Sequence, residues 1–179
     1  MKHLIIFFLA SLILSCGSPE ARKPVSKKSG SFIKESAERN IKLNERERAA
    51  ILEIIEADSL NEYIASENGF WYSYNTRSEI DSISAEFGDI LNFDYRIEDM
   101  KGNEIYSESE LKTRNYAMDQ EELFTGLREG LKLMHPGETV TFLFPSQKAY
   151  GYYGDSNRIG SNLPLKVKVT LNSITKNED

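Results

Sequence analysis

Between Ile90 and Glu98 the chain alternates without a break, with Leu91, Phe93, Tyr95 and Ile97 set against Asn92, Asp94 and Arg96. Successive side chains of an extended strand point to opposite faces, so this stretch predicts a strand with one buried face and one wet face. A parallel sheet covered on both sides would read as a continuous apolar run instead. Phe70, Tyr72 and Tyr74 alternate in the same way with Trp71, Ser73 and Asn75, and two further strands are predicted at 139–144 and 165–174. A Lys101-Gly102-Asn103 turn leads to a strand at 104–107, and another lies near 115–118. Leu123, Phe124, Leu127, Leu131 and Met134 recur at three- and four-residue spacing, predicting a single amphipathic helix that His135-Pro136-Gly137 ends. The expected fold class is α+β: a twisted antiparallel sheet wrapped on one amphipathic helix, with an N-terminal helical extension.

The chain begins with a short basic start, Met1-Lys2-His3, followed by an apolar run at 4–14 too short to span a bilayer comfortably. The run closes on Ile13-Leu14-Ser15-Cys16, which resembles a bacterial lipobox. Residues 1–15 are therefore expected to be a lipoprotein signal peptide and Cys16 the lipidation site. A thioether-linked diacylglycerol plus an N-acyl chain would anchor stably, where a single myristoyl chain binds only marginally. Gly17-Ser18 lacks the acidic residue that resemblance to lipoprotein sorting signals ties to inner-membrane retention, so the expected location is the outer membrane, facing the periplasm. Ser, Lys, Pro and Gly dominate as far as Ser31, making 16–31 a flexible tether.

A helical segment is expected at 32–66. Asn44 followed by Glu47 three positions later reads as a capping box opening a helix at 45–58. Its buried stripe would be Ile51, Ile54 and Ile55, extended by Ala50 and Ala57, and a second short segment would carry Leu60, Tyr63 and Ile64. Such helices either pack on the domain that follows, at 67–179, or pair with those of a second copy in a homodimer.

Composition excludes several chemistries. With 22 Lys plus Arg against 28 Asp plus Glu and a net charge of −6, the chain lacks the basic surface a nucleic-acid partner requires. One cysteine and two histidines, His3 and His135, leave no CxxC, no His pair and no Cys/His nucleophile, so no metal and no cofactor are expected.

The helix contains Gly126-Leu127-Arg128-Glu129-Gly130-Leu131 and then Met134, a Pro136-Gly137 turn follows, and the next strand ends at Pro145, with Ala149-Tyr150-Gly151 beyond it. Together with Gly88-Asp89, Tyr95 and the closing Leu165-x-Val167-x-Val169-x-Leu171 strand, this order resembles the FKBP-type peptidyl-prolyl isomerases. Ser66-Glu67-Asn68-Gly69-Phe70-Trp71-Tyr72, with the lipobox and helical leader, is similar to the gliding-motility-associated lipoproteins of Bacteroidetes. The resemblance implies an isomerase that acts on X–Pro segments of secreted or outer-membrane proteins, by the narrower likeness those of the gliding machinery. Two other functions remain open: a non-catalytic holdase using the same groove, and a structural lipoprotein.

Carried over by position, the resemblance implies that Tyr95 and Phe124 wall the pocket and that Tyr150 offers its hydroxyl to a substrate carbonyl. It sets Tyr116 and Ile159 at the rim, with Leu123 beside them and its main chain facing the peptide, and it counts Phe144 among the pocket residues. Leu127 stands where the family usually has a tryptophan floor, and Ile105 and Val167 replace phenylalanines. Tyr106 takes the place of a buried aspartate, which removes a charge from the pocket. These departures predict weak activity on short peptides. The flap over the pocket is expected at 152–163, and its Tyr152 and Tyr153 either touch a protein client or pack on the loop itself.

Overall fold

A computed structural model describes residues 29–78 and 83–178, with side chains from Phe32 onward. The expected signal peptide, Cys16 and most of the expected tether lie outside the described residues. The described chain runs α1 (Ser29–Ala57), β1 (Ile64–Ala65), β2 (Trp71–Thr76), β3 (Ile90–Asp99), β4 (Glu104–Tyr106), α2 (Glu108–Leu111), β5 (Arg114–Ala117), α3 (Thr125–Leu131), β6 (Thr139–Phe144), a 3₁₀ turn (Ser146–Lys148) and β7 (Leu165–Thr175). Contacts divide the chain into two units, Met1–Ala37 and Glu38–Asp179. No helix among the described residues is long and apolar enough to cross a membrane.

The strands of the second unit form one antiparallel sheet in the order β1-β2-β6-β7-β3-β4, with β5 paired to β3. The long strands β3 and β7 lie side by side, Tyr95 opposite Val169 and Ile97 opposite Val167. Leu91, Phe93, Tyr95 and Ile97 are buried while their neighbours are half-exposed, which matches the alternation read from the sequence. The fold class is the α+β arrangement expected.

Helix α3 packs closely against this sheet because two of its residues have no side chain. A Cβ at Gly126 would lie 2.6 Å from both the Lys148 carbonyl oxygen and Phe144, and one at Gly130 would lie 2.8 Å from Phe142. Phe142 and Phe144 stack beneath it with ring centroids 5.4 Å apart, and Phe70 meets Phe144 edge-on at 5.2 Å. The expected helix was longer. Regular α-structure covers only Thr125–Leu131; Phe124 is its extended N-cap residue, and Met134 is buried in the turns after it. Leu123 and Phe124 keep the apolar spacing because both still face the core.

Three expectations upstream are corrected. Helix α1 begins at Ser29, so Asn44 lies inside it and caps nothing, and Glu47 bonds elsewhere. Ala50 and Ala57 are exposed; the buried residues of α1 are Glu47 and Ile51, one turn apart, flanked by half-buried Leu43, Asn44, Ile54 and Ile55. The segment after α1 is not helical: Asp58 accepts hydrogen bonds from the Leu60 amide, Asn61 and Tyr63, and Ile64–Ala65 joins the sheet edge. Two buried carboxylates of the domain, Asp89 and Glu138, are paired. Asp89 accepts from the amides of Glu86 and Asn177 and from Lys176, and Glu138 accepts from the amides of Ser78 and His135.

Candidate functional site

The site is assembled from three separate segments of the chain. Tyr95 comes from the middle of β3, Phe124 from the entry to α3, and Tyr150 from the loop just after the 3₁₀ turn. The Phe124 ring lies 5.2 Å from Tyr150 and 5.5 Å from Phe144, edge-on to the latter. Tyr95 is 6% exposed, whereas Phe124, Tyr150 and Leu123 are half-buried. Leu123, Phe124 and Tyr150 form the apolar side of an open groove of about 500 Å³, and Arg114, Arg128, Glu121 and Glu122 form its charged side.

The Tyr150 hydroxyl makes no hydrogen bond among the described residues. Burial, reinforced by Tyr95, Asp155 and Tyr106 and opposed by Arg114, pushes its pKa up to about 12. It stays a phenol at any physiological pH, with its proton available to an incoming acceptor.

The other sequence-assigned residues lie deeper. Leu127, Phe144 and Val167 are fully buried, packed in the core beneath the aromatic rings. Tyr116 and Ile159, expected at the rim, are buried at 0% and 3% exposure. Tyr116 is a core ring whose hydroxyl reaches the Glu121 carbonyl at 3.4 Å and accepts from the Asp119 amide at 3.3 Å. Ile159 is pinned by its own amide, which donates to Asp155 at 2.8 Å. Ile105 and Tyr106 are half-buried at the edge of the same core.

A carboxylate does reach this region, from a position the sequence reading did not single out. The Tyr106 hydroxyl donates to Oδ2 of Asp155, in the flap, while Oδ1 accepts the amides of Asn157 at 2.9 Å and Ile159 at 2.8 Å. Burial alone would raise the Asp155 pKa, but Tyr106 and the two amides outweigh it and hold the carboxyl below its usual 3.8. Burial, then the Asp155 carboxylate, raise the Tyr106 pKa. Arg158 completes the clasp: it donates to the Ile105 carbonyl at 2.8 Å and to Glu110 at 2.7 Å, and lies over the Tyr106 ring at 4.8 Å. Ser107 caps α2 and holds Glu110 in place. The signal for Asp155 was the run Gly154-Asp155-Ser156-Asn157, since an Asp whose side chain bonds the amide two residues on makes an Asx turn.

Among the described residues no group of His, Cys, Asp and Glu is arranged to hold a metal ion. What the site offers is an apolar wall, one phenolic donor and a flap fastened beside it.

Comparison with known proteins agrees with this architecture. Residues 82–172 match the family described as FKBP-type peptidyl-prolyl cis-trans isomerase. A search of curated proteins found no match. The crystal structure of FkpA from Escherichia coli is similar in fold, with a TM-score of 0.60 and 16% identity, over 98% of this chain and 82% of that one. A peptidyl-prolyl cis-trans isomerase from Pseudomonas syringae pv. tomato has the same TM-score of 0.60 and 16% identity, over 75% of this chain and 94% of that one. The chain belongs to the FKBP-type peptidyl-prolyl cis-trans isomerase family.

Proposed function

We propose that this protein is an active prolyl isomerase that works on X–Pro segments of secreted or outer-membrane proteins, among them components of a gliding apparatus. In this reading it is held by lipid at Cys16 on the periplasmic side of the outer membrane. The observation that carries the catalytic part is Tyr150: a phenol with no hydrogen-bond partner among the described residues, kept protonated, and set against Phe124 in an open groove.

An X–Pro amide rotates over a barrier of roughly 18–20 kcal/mol, and the unaided reaction takes tens to hundreds of seconds. No nucleophile is needed. Twisting the C–N bond removes resonance and its charge separation, so a water-poor apolar wall favours the twisted amide over either planar form. Phe124 and Leu123 supply that wall, and Tyr150 supplies a donor that fixes a substrate carbonyl while the bond turns. The test is refolding of a protein whose slow phase is limited by proline isomerisation. The wild-type chain accelerates that phase catalytically, and an unaltered rate at substoichiometric protein would refute the reading.

A holdase without catalysis is the second reading, favoured by Tyr152 and Tyr153, which stand 72% and 87% exposed at the flap with their rings edge-on to each other. It predicts suppression of client aggregation that does not depend on the Tyr150 hydroxyl.

A further inference from the structure

Helix α1 bears a carboxylate on its buried face. Glu47 is 5% exposed, and none of the ion pairs found among the described residues involves it. A buried carboxylate is costly unless its oxygens are hydrogen-bonded. Both are: Oε2 accepts the Ser146 amide at 2.8 Å and Oε1 accepts the Ser146 hydroxyl at 2.7 Å, across 99 residues of chain. Ser146 is itself 2% exposed and opens the 3₁₀ turn.

From Ser146 the linkage runs directly to the candidate site. Its carbonyl accepts the amides of Ala149 at 3.0 Å and Gly151 at 2.8 Å, the two neighbours of Tyr150. The backbone on either side of the phenol thus hangs from one carbonyl, and the residue carrying it is clamped by Glu47 through its amide and hydroxyl. Gly151 bends away in the left-handed region at φ +59°, a conformation glycine adopts at little cost. The other side of the turn is held by α3, where Lys148 pairs with Glu129 at 3.0 Å and the Lys148 carbonyl closes on Gly126. Packing alone would need only an apolar side chain at position 47. A carboxylate that satisfies both donors of Ser146 specifies the orientation of that residue, and hence of its carbonyl.

The geometry points to Glu47 as a positioning residue for Tyr150: through Ser146, α1 sets where the phenol stands over the groove. This deepens the isomerase reading and rests on it. The N-terminal helix is thereby a working part of the site, although it contributes nothing to the groove wall beside Tyr150.

The experiment uses the full chain with Glu47→Gln and Ser146→Ala, each made in the wild-type and in the Tyr150→Ala background. Two readouts are taken: catalysed refolding of a proline-limited protein, and amide hydrogen exchange at Ala149 and Gly151. Each variant is expected to lower kcat/KM about two- to tenfold, the range of one lost hydrogen bond, while the loss vanishes when Tyr150 is already gone. Exchange at Ala149 and Gly151 should quicken while that of the β3–β7 ladder does not. An equal loss in both backgrounds, or unchanged exchange at those two amides, would overturn the assignment. Should Glu47→Gln fail to fold, Ser146→Ala, which deletes only the hydroxyl bond, decides the matter. If the wild-type chain shows no isomerase activity, the function reading falls, and the exchange data still decide whether Glu47 holds the Tyr150 loop.

Discussion

The hydroxyl of Tyr106 donates to the carboxylate of Asp155, 49 residues further along the chain, and joins strand β4 to the flap. The charge that Tyr106 seemed to remove from this region is therefore present, carried by the flap instead of by the strand. Replacing Asp155→Asn keeps an acceptor for the amides but takes the charged acceptor from Tyr106. A hydrogen bond to a charged group, discounted for partial solvent access, places the loss at about 1 kcal/mol of stability. Urea unfolding of the variant measures it, with Tyr106→Phe expected to cost a similar amount and the double variant little more.

The same carboxylate gives a pH signature. Asp155 is held below its ordinary value of 3.8, so the folded state binds its proton less readily than the unfolded chain does. Its contribution is complete above the unfolded pKa and is lost as pH falls through the depressed folded value. The stability gap between wild type and Asp155→Asn should be level from about pH 5 to 8 and close below about pH 4. Catalysis, by contrast, should show no alkaline limb up to about pH 9, because the Tyr150 hydroxyl titrates only near 12.

Helix α3 offers a steric prediction. Gly126→Ala would drive a methyl to 2.6 Å from a backbone carbonyl and the Phe144 ring, neither of which is the free end of a flexible chain. Overpacking of this kind costs about 1–3 kcal/mol, and a thermal melt should reveal it. Gly102→Ala has nothing within 4 Å to meet, but its φ of +83° makes it a control for backbone strain without a clash.

Phe124 and Tyr150 are separable by substitution. Tyr150→Phe removes one hydroxyl that has no hydrogen-bond partner among the described residues, so melting should be unchanged while kcat/KM falls about two- to tenfold. Phe124→Ala removes a half-buried ring that touches Tyr150 and Phe144, which should cost about 2 kcal/mol of stability as well as activity. A holdase would lose client binding with Phe124→Ala and be indifferent to Tyr150→Phe.

The anchor is tested by Cys16→Ala. Lipid labelling should vanish and the protein should leave the membrane fraction. Continued membrane association would remove the lipobox reading.

Strands were legible in the sequence wherever one face is buried and the other wet, because side-chain alternation is a local consequence of the pleat. That is why 90–98 and 165–174 were read nearly to the residue, whereas Gly126, Gly130 and the Ala149-Tyr150-Gly151 run pointed to the family by resemblance. Local pattern failed where a side chain's partner is distant. Glu47 three residues after Asn44 has the spacing of a capping box, yet its carboxylate bonds Ser146, 99 residues away. Tyr106 read as a lost charge because the compensating carboxylate enters from the flap. Tyr116 and Ile159 read as rim residues, but the closure of β5 and the flap onto the core buries them. Period and turn chemistry are written in neighbouring residues; which carboxylate meets which donor is decided only when the sheet and helices bring distant segments together.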